Sequence, residues 1–309
     1  MTAADFAPKH LAARFLASPS AGLIAAFATV AGWTTWVVGT RHAMASGALD
    51  IDPAGLAVIR FGVAALLLAP VWLRTGLVPR GVDIRTFLGL LLAGAPFVAF
   101  VSAGLAHAPA AESAPLVTGL MPVITAVLAA IFLGERIGRL RLAGLAVVLA
   151  GVGVVVAGGA MRDPAALAGY GLFLAAALAW GVYSVSFRRS GLSAIEAAAL
   201  IAVWSLIAIL PWGAASLLHA VDTAPAGALA GQVVIQGLVA GVFSIVAFSF
   251  AAGRLGPARA SALTGLTPLA VLLAASLLLG ERLDPVLVAG AVIVAAGVAA
   301  ASGSLPAAF

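Results

Sequence analysis

The chain has 309 residues, of which 63% are hydrophobic, 9% are charged and none is cysteine, with a formal net charge of +5. A soluble domain needs about 25% charged residues to cover its surface, so most of this surface faces something other than water, as the mean hydropathy of +1.19 also indicates. The missing cysteines exclude disulfides and thiolate metal sites, and basic residues scattered singly between apolar runs lack the gathered face of a nucleic-acid reader.

Lys9, His10 and Arg14 precede a long apolar run with no convincing small-residue cleavage site at its end. The run is therefore expected to be a membrane span and not a cleavable leader. A span takes about 20 mostly apolar residues to cross about 30 Å of hydrocarbon. Ten segments qualify, at roughly 20–40, 53–73, 85–105, 111–133, 140–158, 167–187, 195–217, 229–252, 257–279 and 285–303. In lipid such a run satisfies its own backbone only as a helix. The expectation is an all-α integral membrane protein of ten transmembrane helices.

Charge sets the direction. With the N-terminus in the cytoplasm, twelve of the sixteen Lys and Arg residues fall inside: Lys9, Arg14, Arg74, Arg80, Arg85, Arg136, Arg139, Arg141, Arg188, Arg189, Arg254 and Arg259. Arg41, Arg162 and Arg282 fall outside, and Arg60 lies within a span. This is the positive-inside bias. An even number of spans puts the C-terminus in the cytoplasm as well.

The fourth and ninth spans carry one sentence written twice, TGLMPVITAVLAAIFLGER from Thr118 and TGLTPLAVLLAASLLLGER from Thr264. Between 118 and 152, fifteen of thirty-five positions match their partners 146 residues on. The chain thus divides into two five-span halves, 1–160 and 161–309. Five is odd, so the second half is expected to enter the membrane inverted. The first GER continues as GERIGRLR, the second as GERLD, which is the charge difference that opposite membrane faces require. Inverted repeats of this kind build many transporters, with the substrate site near the midplane.

On the stretches DPAGLAVIRFGVAALLLAP, the two TGLxP…LGER sentences and LAWGVYSV, the chain resembles the drug/metabolite transporter superfamily in its EamA-type ten-helix branch, and is most similar there to the YddG-type amino-acid exporters. The resemblance covers nearly the whole chain. It implies ten helices, both termini inside, an inner-membrane location and export of small metabolites by alternating access. It also implies a central cavity walled by spans 3, 4, 8 and 9 with parts of 1 and 6, with spans 5 and 10 at the back.

Pro122 and Pro268 sit at matching places in spans 4 and 9, where each removes a backbone hydrogen bond. They are expected to be paired hinges, or else static kinks. Glycines at 144, 151 and 158 and at 290 and 297 recur every seven residues, a small-residue stripe for close helix packing. Candidate cavity residues combine an apolar body with a polar tip or a flat ring: Trp33 and Thr34 in span 1, Phe97 in span 3, Tyr183 in span 6, and Phe243 and Ser244 in span 8. Trp36, Trp180 and Phe187 belong to the same aromatic sets.

Arg60 is the one charge inside a span. It lies about 10 Å deep by helix rise, and could snorkel or pair with Asp50, Asp52 or a carbonyl; a structural pair is the favoured reading. Glu135 and Glu281, ahead of arginines at the ends of spans 4 and 9, read as gate latches or as interfacial ion pairs of small worth. His107 and Glu112 flank the loop between spans 3 and 4, either as proton-handling groups or as solvated loop residues.

No Asp, Glu, Lys or His stands near a span centre. Ion-coupled carriers place relays there, so facilitated export is expected ahead of proton-coupled export of other metabolites or drugs, or a purely structural membrane bundle. GxSxG, HExxH and GxxxxGK[ST] are missing, so no enzyme is expected. No cofactor or metal is expected. The expected partners are a small-molecule substrate such as an amino acid and the lipid bilayer, with no nucleic acid and no obligatory protein partner.

Overall fold

The computed structural model describes residues 18–47, 49–255 and 257–302. Lys9 and Arg14 of the charge count lie outside these. Described helices, in order, are α1 (Pro19–Ala45), α2 (Pro53–Leu67), α3 (Ala69–Thr75), α4 (Ile84–Leu91), α5 (Ala95–His107), α6 (Ala110–Leu133), α7 (Arg139–Arg162), α8 (Ala166–Ser190), α9 (Ala194–Thr223), α10 (Ala226–Gln232), a π-helical stretch (Val233–Phe243), α11 (Ser244–Leu255), α12 (Pro257–Thr264), α13 (Thr267–Leu279) and α14 (Pro285–Ala301). Eight helical stretches among the described residues are long and apolar enough to cross a membrane. The α2–α3 pair would make a ninth but bends by 71°, and α14 is a shorter apolar helix.

Four expected spans are thus less regular than the apolar pattern suggests. The bend between α2 and α3 falls just before Pro70, which lacks an N–H and crowds the preceding turn. The third is broken between α4 and α5 at Gly94, ahead of Pro96, and Ser205 Oγ accepts the N–H of Ala95 at 2.9 Å to close the break. The eighth contains the 11-residue π-helical stretch, and Ser244 just after it donates from Oγ back to Val239 O at 2.8 Å. The ninth is interrupted at Gly265 and Leu266, between α12 and α13. π-stretches and mid-helix breaks collect at functional places because they free backbone groups and re-aim side chains.

The packing exchanges partners between the halves. The first long helix of each half leans on the third and fourth spans of the other. α8 packs against α4, α5 and α6, while α1 packs against the π stretch, α11, α12 and α13. The most extensive pairing joins α7 to α14. Its cause is the glycine stripe. A Cβ on Gly151 would stand 2.7 Å from Val294 N and 2.9 Å from Gly290 O, and one on Gly144 would stand 2.4 Å from Ala301 N. Only residues without a side chain let two backbones approach so closely. The core runs through both halves: Leu105, Val148, Val155, Phe173, Val271 and Val294 are all fully buried.

The two LGER ends have one geometry. Gly134 and Gly280 adopt left-handed φ values of 66° and 68°, and the N–H groups of Glu135 and Glu281 reach back 3.3 Å to Ala129 O and Ala275 O. Glycine carries no steric penalty there, which is why it ends helices so often. The TGLxP beginnings differ. Thr118 to Pro122 runs through α6 unbroken, whereas Thr264 to Pro268 contains the interruption.

Candidate functional site

A continuous run of aromatic rings joins three helices of the bundle. Trp36 of α1 meets Phe97 of α5 with ring centroids 6.0 Å apart. Phe97 meets Trp180 of α8 at 5.3 Å, Trp180 meets Tyr183 at 5.1 Å, and Tyr183 meets Phe187 at 5.9 Å. The spacing has a local origin, since residues three and four apart share one face of a helix. The run therefore joins α1 and α5 from the first half to α8 from the second. Trp36 and Phe97 are buried, while Trp180, Tyr183 and Phe187 keep some surface.

At the buried end of the run stands Arg60. Its Cζ lies 4.5 Å from the centroid of the Trp36 ring and 6.0 Å from that of Phe61. The side chain as a whole retains some exposed surface, but Nη1 is sealed and has no hydrogen-bond partner, and Trp36 Nε1 is also sealed and unpartnered. The expected pairing with Asp50 or Asp52 is not seen. Asp50 is 3.1 Å from His219 Nε2, and Asp52 caps α2 by accepting Gly55 N–H at 2.7 Å.

A second polar strip lies nearby, between α1 and the π stretch. Gln236 Nε2 donates to Thr40 Oγ1 at 3.0 Å and to Gln232 Oε1 at 3.2 Å, and Thr40 Oγ1 donates to Trp36 O at 2.8 Å. This strip is buried and internally paired.

One end of the bundle is bolted across the halves. Glu281 accepts the N–H groups of Ala110 and Ala111, each at 2.9 Å, at the N-terminus of α6. Unsatisfied amides and the helix dipole make that end a natural seat for a carboxylate. Arg41 Nη1 donates to Leu105 O at 2.6 Å, and its Nε is 4.0 Å from Glu281. Arg162 bridges Glu112 at 2.8 Å and Asp284 at 2.5 Å, and the Tyr170 hydroxyl donates to Glu112 at 2.5 Å. At the other end Glu135, the repeat mate of Glu281, pairs with Arg188, beside the Phe187 end of the aromatic run.

The residues singled out from sequence fall into separate places. Phe97 and Tyr183 stand in one aromatic run. Trp33 packs on Phe248 of α11 at 6.0 Å and is not joined to that run. Thr34 is buried with its Oγ1 unpartnered. Phe243 is 49% exposed, so it and Phe97 do not share a level of burial despite their matching positions in the repeat. Ser244 is fully buried against α1, where a Cβ on Gly32 would meet its Oγ at 2.2 Å. Glu112 is no solvated loop group: it lies in the first turn of α6, is 3% exposed and is held by Arg162 and Tyr170. His107 ends α5 at the surface. Gln232, Gln236 and Tyr170 were not anticipated; two glutamines four apart in an apolar run were the available sign.

Comparison with known proteins agrees with this architecture. The model of the EamA-like transporter family matches twice, over residues 20–157 and 167–303. A probable terminal-alkyne amino-acid exporter of Streptantibioticus cattleyicolor is 33% identical over 263 residues, covering 79% of this chain and 82% of that protein. A probable amino-acid metabolite efflux pump of Escherichia coli is 28% identical over 219 residues, covering 68% of this chain and 73% of the relative. One solved crystal structure superposes with a TM-score of 0.57 at 22% identity, over 94% of this chain and 100% of its own, a likeness of fold alone. With its two matched segments and these relatives, the chain belongs to the EamA-like transporter family, a branch of the drug/metabolite transporters.

Proposed function

We propose that the protein exports small metabolites of the amino-acid class from the cytoplasm by alternating access. The observation that carries this reading is the aromatic run from Phe187 through Tyr183, Trp180 and Phe97 to Trp36, built from both halves and ending at the Arg60 guanidinium. Flat rings suit an apolar or aromatic side chain, and a few polar tips suit a head group. Two relatives whose names specify amino-acid or amino-acid-metabolite export support the substrate class.

In this reading the chain crosses the inner, or plasma, membrane ten times. The bent α2–α3 pair and α14 count as spans, and both termini lie in the cytoplasm. The halves, 1–160 and 161–309, are inverted copies, which the exchange of packing partners supports. The Glu281 end is then the outer gate, held by links between the halves, and the aromatic run leads inward to the Glu135 end, where the Glu135–Arg188 pair also joins the halves. Pro122 and Pro268 are the matching hinges. The straight TGLMP in α6 and the interrupted TGLTP before α13 are the two shapes one hinge sequence adopts as the gates alternate. Transport is facilitated, because the ionisable groups of the network sit at helix ends and Arg60 is the lone charge at depth.

The test is uptake of radiolabelled amino acids into liposomes holding the purified protein, with and without a pH gradient. Saturable uptake that ignores the gradient is the expected result. Uptake that requires the gradient overturns facilitation and turns attention to His107 and Glu112. No uptake of any amino acid overturns the substrate class. Tyr183→Ala is expected to cut uptake without lowering membrane abundance, and unchanged uptake would remove Tyr183 from the site.

A further inference from the structure

Among the described residues three buried side-chain atoms have no hydrogen-bond partner, Thr34 Oγ1, Trp36 Nε1 and Arg60 Nη1, and the last two are donors only. Arg60 Nη1 and Trp36 Nε1 are sealed and unpartnered, and they belong to one stacked pair whose guanidinium carbon is 4.5 Å from the indole centroid. A guanidinium and an indole N–H both lack any acceptor, so neither can satisfy the other. The ring face draws the positive charge, but it leaves the N–H of Nη1 unbonded. A buried donor left in this state is unfavourable, and more so when it is charged.

The adjacent Thr40, Gln236 and Gln232 side chains are paired among themselves. The acids nearest in sequence, Asp50 and Asp52, are engaged by His219 and by the α2 cap. Among the described residues, no carboxylate forms an ion pair with Arg60. Thr40, Gln236 and Gln232 have thus found partners, while Arg60 Nη1 and Trp36 Nε1, along with the Thr34 hydroxyl two residues from Trp36, have not. What fits such a pair is an acceptor-only, singly charged, planar group, for which arginine is the best-matched side chain. A phosphate dianion would call for further cations, and none stands in the run.

We propose that Arg60 and Trp36 form an anion subsite that takes the carboxylate of the transported molecule, with the neighbouring rings of Phe97 and Trp180 receiving its apolar part. This rests on the exporter reading for the class of substrate. It adds the atoms that hold the head group and assigns Arg60 a role other than a structural ion pair. Phe97 lies 6.0 Å from Trp36 and 5.3 Å from Trp180, centroid to centroid, so the anion subsite and the aromatic shelf are contiguous.

The experiment uses two probes of one shape, 3-phenylpropionate and its neutral amide, titrated into the purified full-length protein in detergent and followed by calorimetry. A hydrogen bond to a charged group is worth about 1.5–3 kcal/mol, so the acid is expected to bind about tenfold tighter than the amide, or more. Arg60→Gln is expected to bring the acid-to-amide ratio close to one while leaving amide affinity within about twofold. Trp36→Phe keeps a smaller aromatic face and removes the N–H, so it reports on the same ratio if Arg60→Gln does not fold. Equal binding of acid and amide by the unaltered protein overturns the proposal, as does no binding of either probe at millimolar concentration. So does an equal loss of both affinities in the variants, which is what a merely structural Arg60 would give. Because the readout is binding, an exporter that moves no amino acid in liposomes would sink the transport reading and leave this ratio to be read.

Discussion

Glu281 Oε1 accepts the backbone N–H of Ala110 at 2.9 Å across 171 residues of chain, and its second oxygen takes Ala111 N–H at the same distance. One carboxylate from the second half thereby caps the first turn of a helix in the first half. Its repeat mate Glu135 meets Arg188 instead. The same residue type at the same place in a repeat thus links the halves at both ends, through backbone amides at one and through an arginine side chain at the other.

Replacing Glu281 should loosen that end. Losing a cap of this kind costs about 0.5–2 kcal/mol. In Glu281→Ala, a cysteine at position 101, a buried place in α5, should react faster with an impermeant maleimide applied from the Glu281 side, by up to about tenfold. Labelling at the unaltered rate, with an unchanged melting temperature, would mean that Glu281 bolts nothing.

The prolines of the repeat can be separated from static kinks. In the interrupted copy, Thr267 Oγ1 donates to Thr264 O at 2.6 Å, the carbonyl that an N–H at position 268 would use in a continuous helix. Proline inside a helix costs about 3 kcal/mol, so Pro268→Ala favours a helix running straight through. Liposome uptake should fall about tenfold while the melting temperature holds or rises. Uptake at the unaltered rate would leave Pro268 as a shape-giving kink.

The α7–α14 seam makes a sharp contrast between two glycines on one helix. A Cβ on Gly151 would press on Val294 N at 2.7 Å, whereas one on Gly153 meets nothing within 4 Å. Gly151→Val should destabilise by about 1–3 kcal/mol through overpacking. Gly153→Ala should be neutral or stabilise by about 0.5–1 kcal/mol, since it lowers the entropy of the unfolded chain. Melting curves in detergent that move together for the two variants would refute the seam as the reason for the stripe.

Asp284 gives a pH signature. Its hydrogen bond from Arg162, aided by N–H donors at the start of α14, holds its carboxyl below the ordinary aspartate range. A carboxyl with a lowered folded pKa binds fewer protons folded than unfolded near that range. Its contribution is therefore complete above about pH 4, the unfolded value, and is lost as the pH falls through the folded value. The melting temperature of Asp284→Asn should lie below that of the unaltered protein at neutral pH, and the gap should close in acid. A gap of constant size from neutral to acid pH would rule out this linkage.

The sequence by itself determined the helices, the doubling and the ends of the repeated sentence. Apolar runs of span length have no other way to bond their backbones in lipid. Gly134 and Gly280 turn left-handed alike because a helix stop of this kind involves only the last turn and the residue after it. The glycine stripes announced close packing for the same reason, that a bare backbone on one face has one evident use. The start of the same sentence was not decided by it: TGLMP stays helical and TGLTP does not, although α6 packs on α8, α7 and α13 and the α12–α13 pair on their repeat mates α1, α14 and α6. Glu112, which stood in the sequence as a group beside a loop, is buried because Arg162 and Tyr170 come to it from 50 and 58 residues away. Trp36 and Arg60 meet only because α1 and α2 turn those faces toward each other. Both helices are apolar nearly all the way round, so no amphipathic stripe in the sequence tells which face turns inward, and tertiary packing alone joined a cation, an indole and a run of rings into one place.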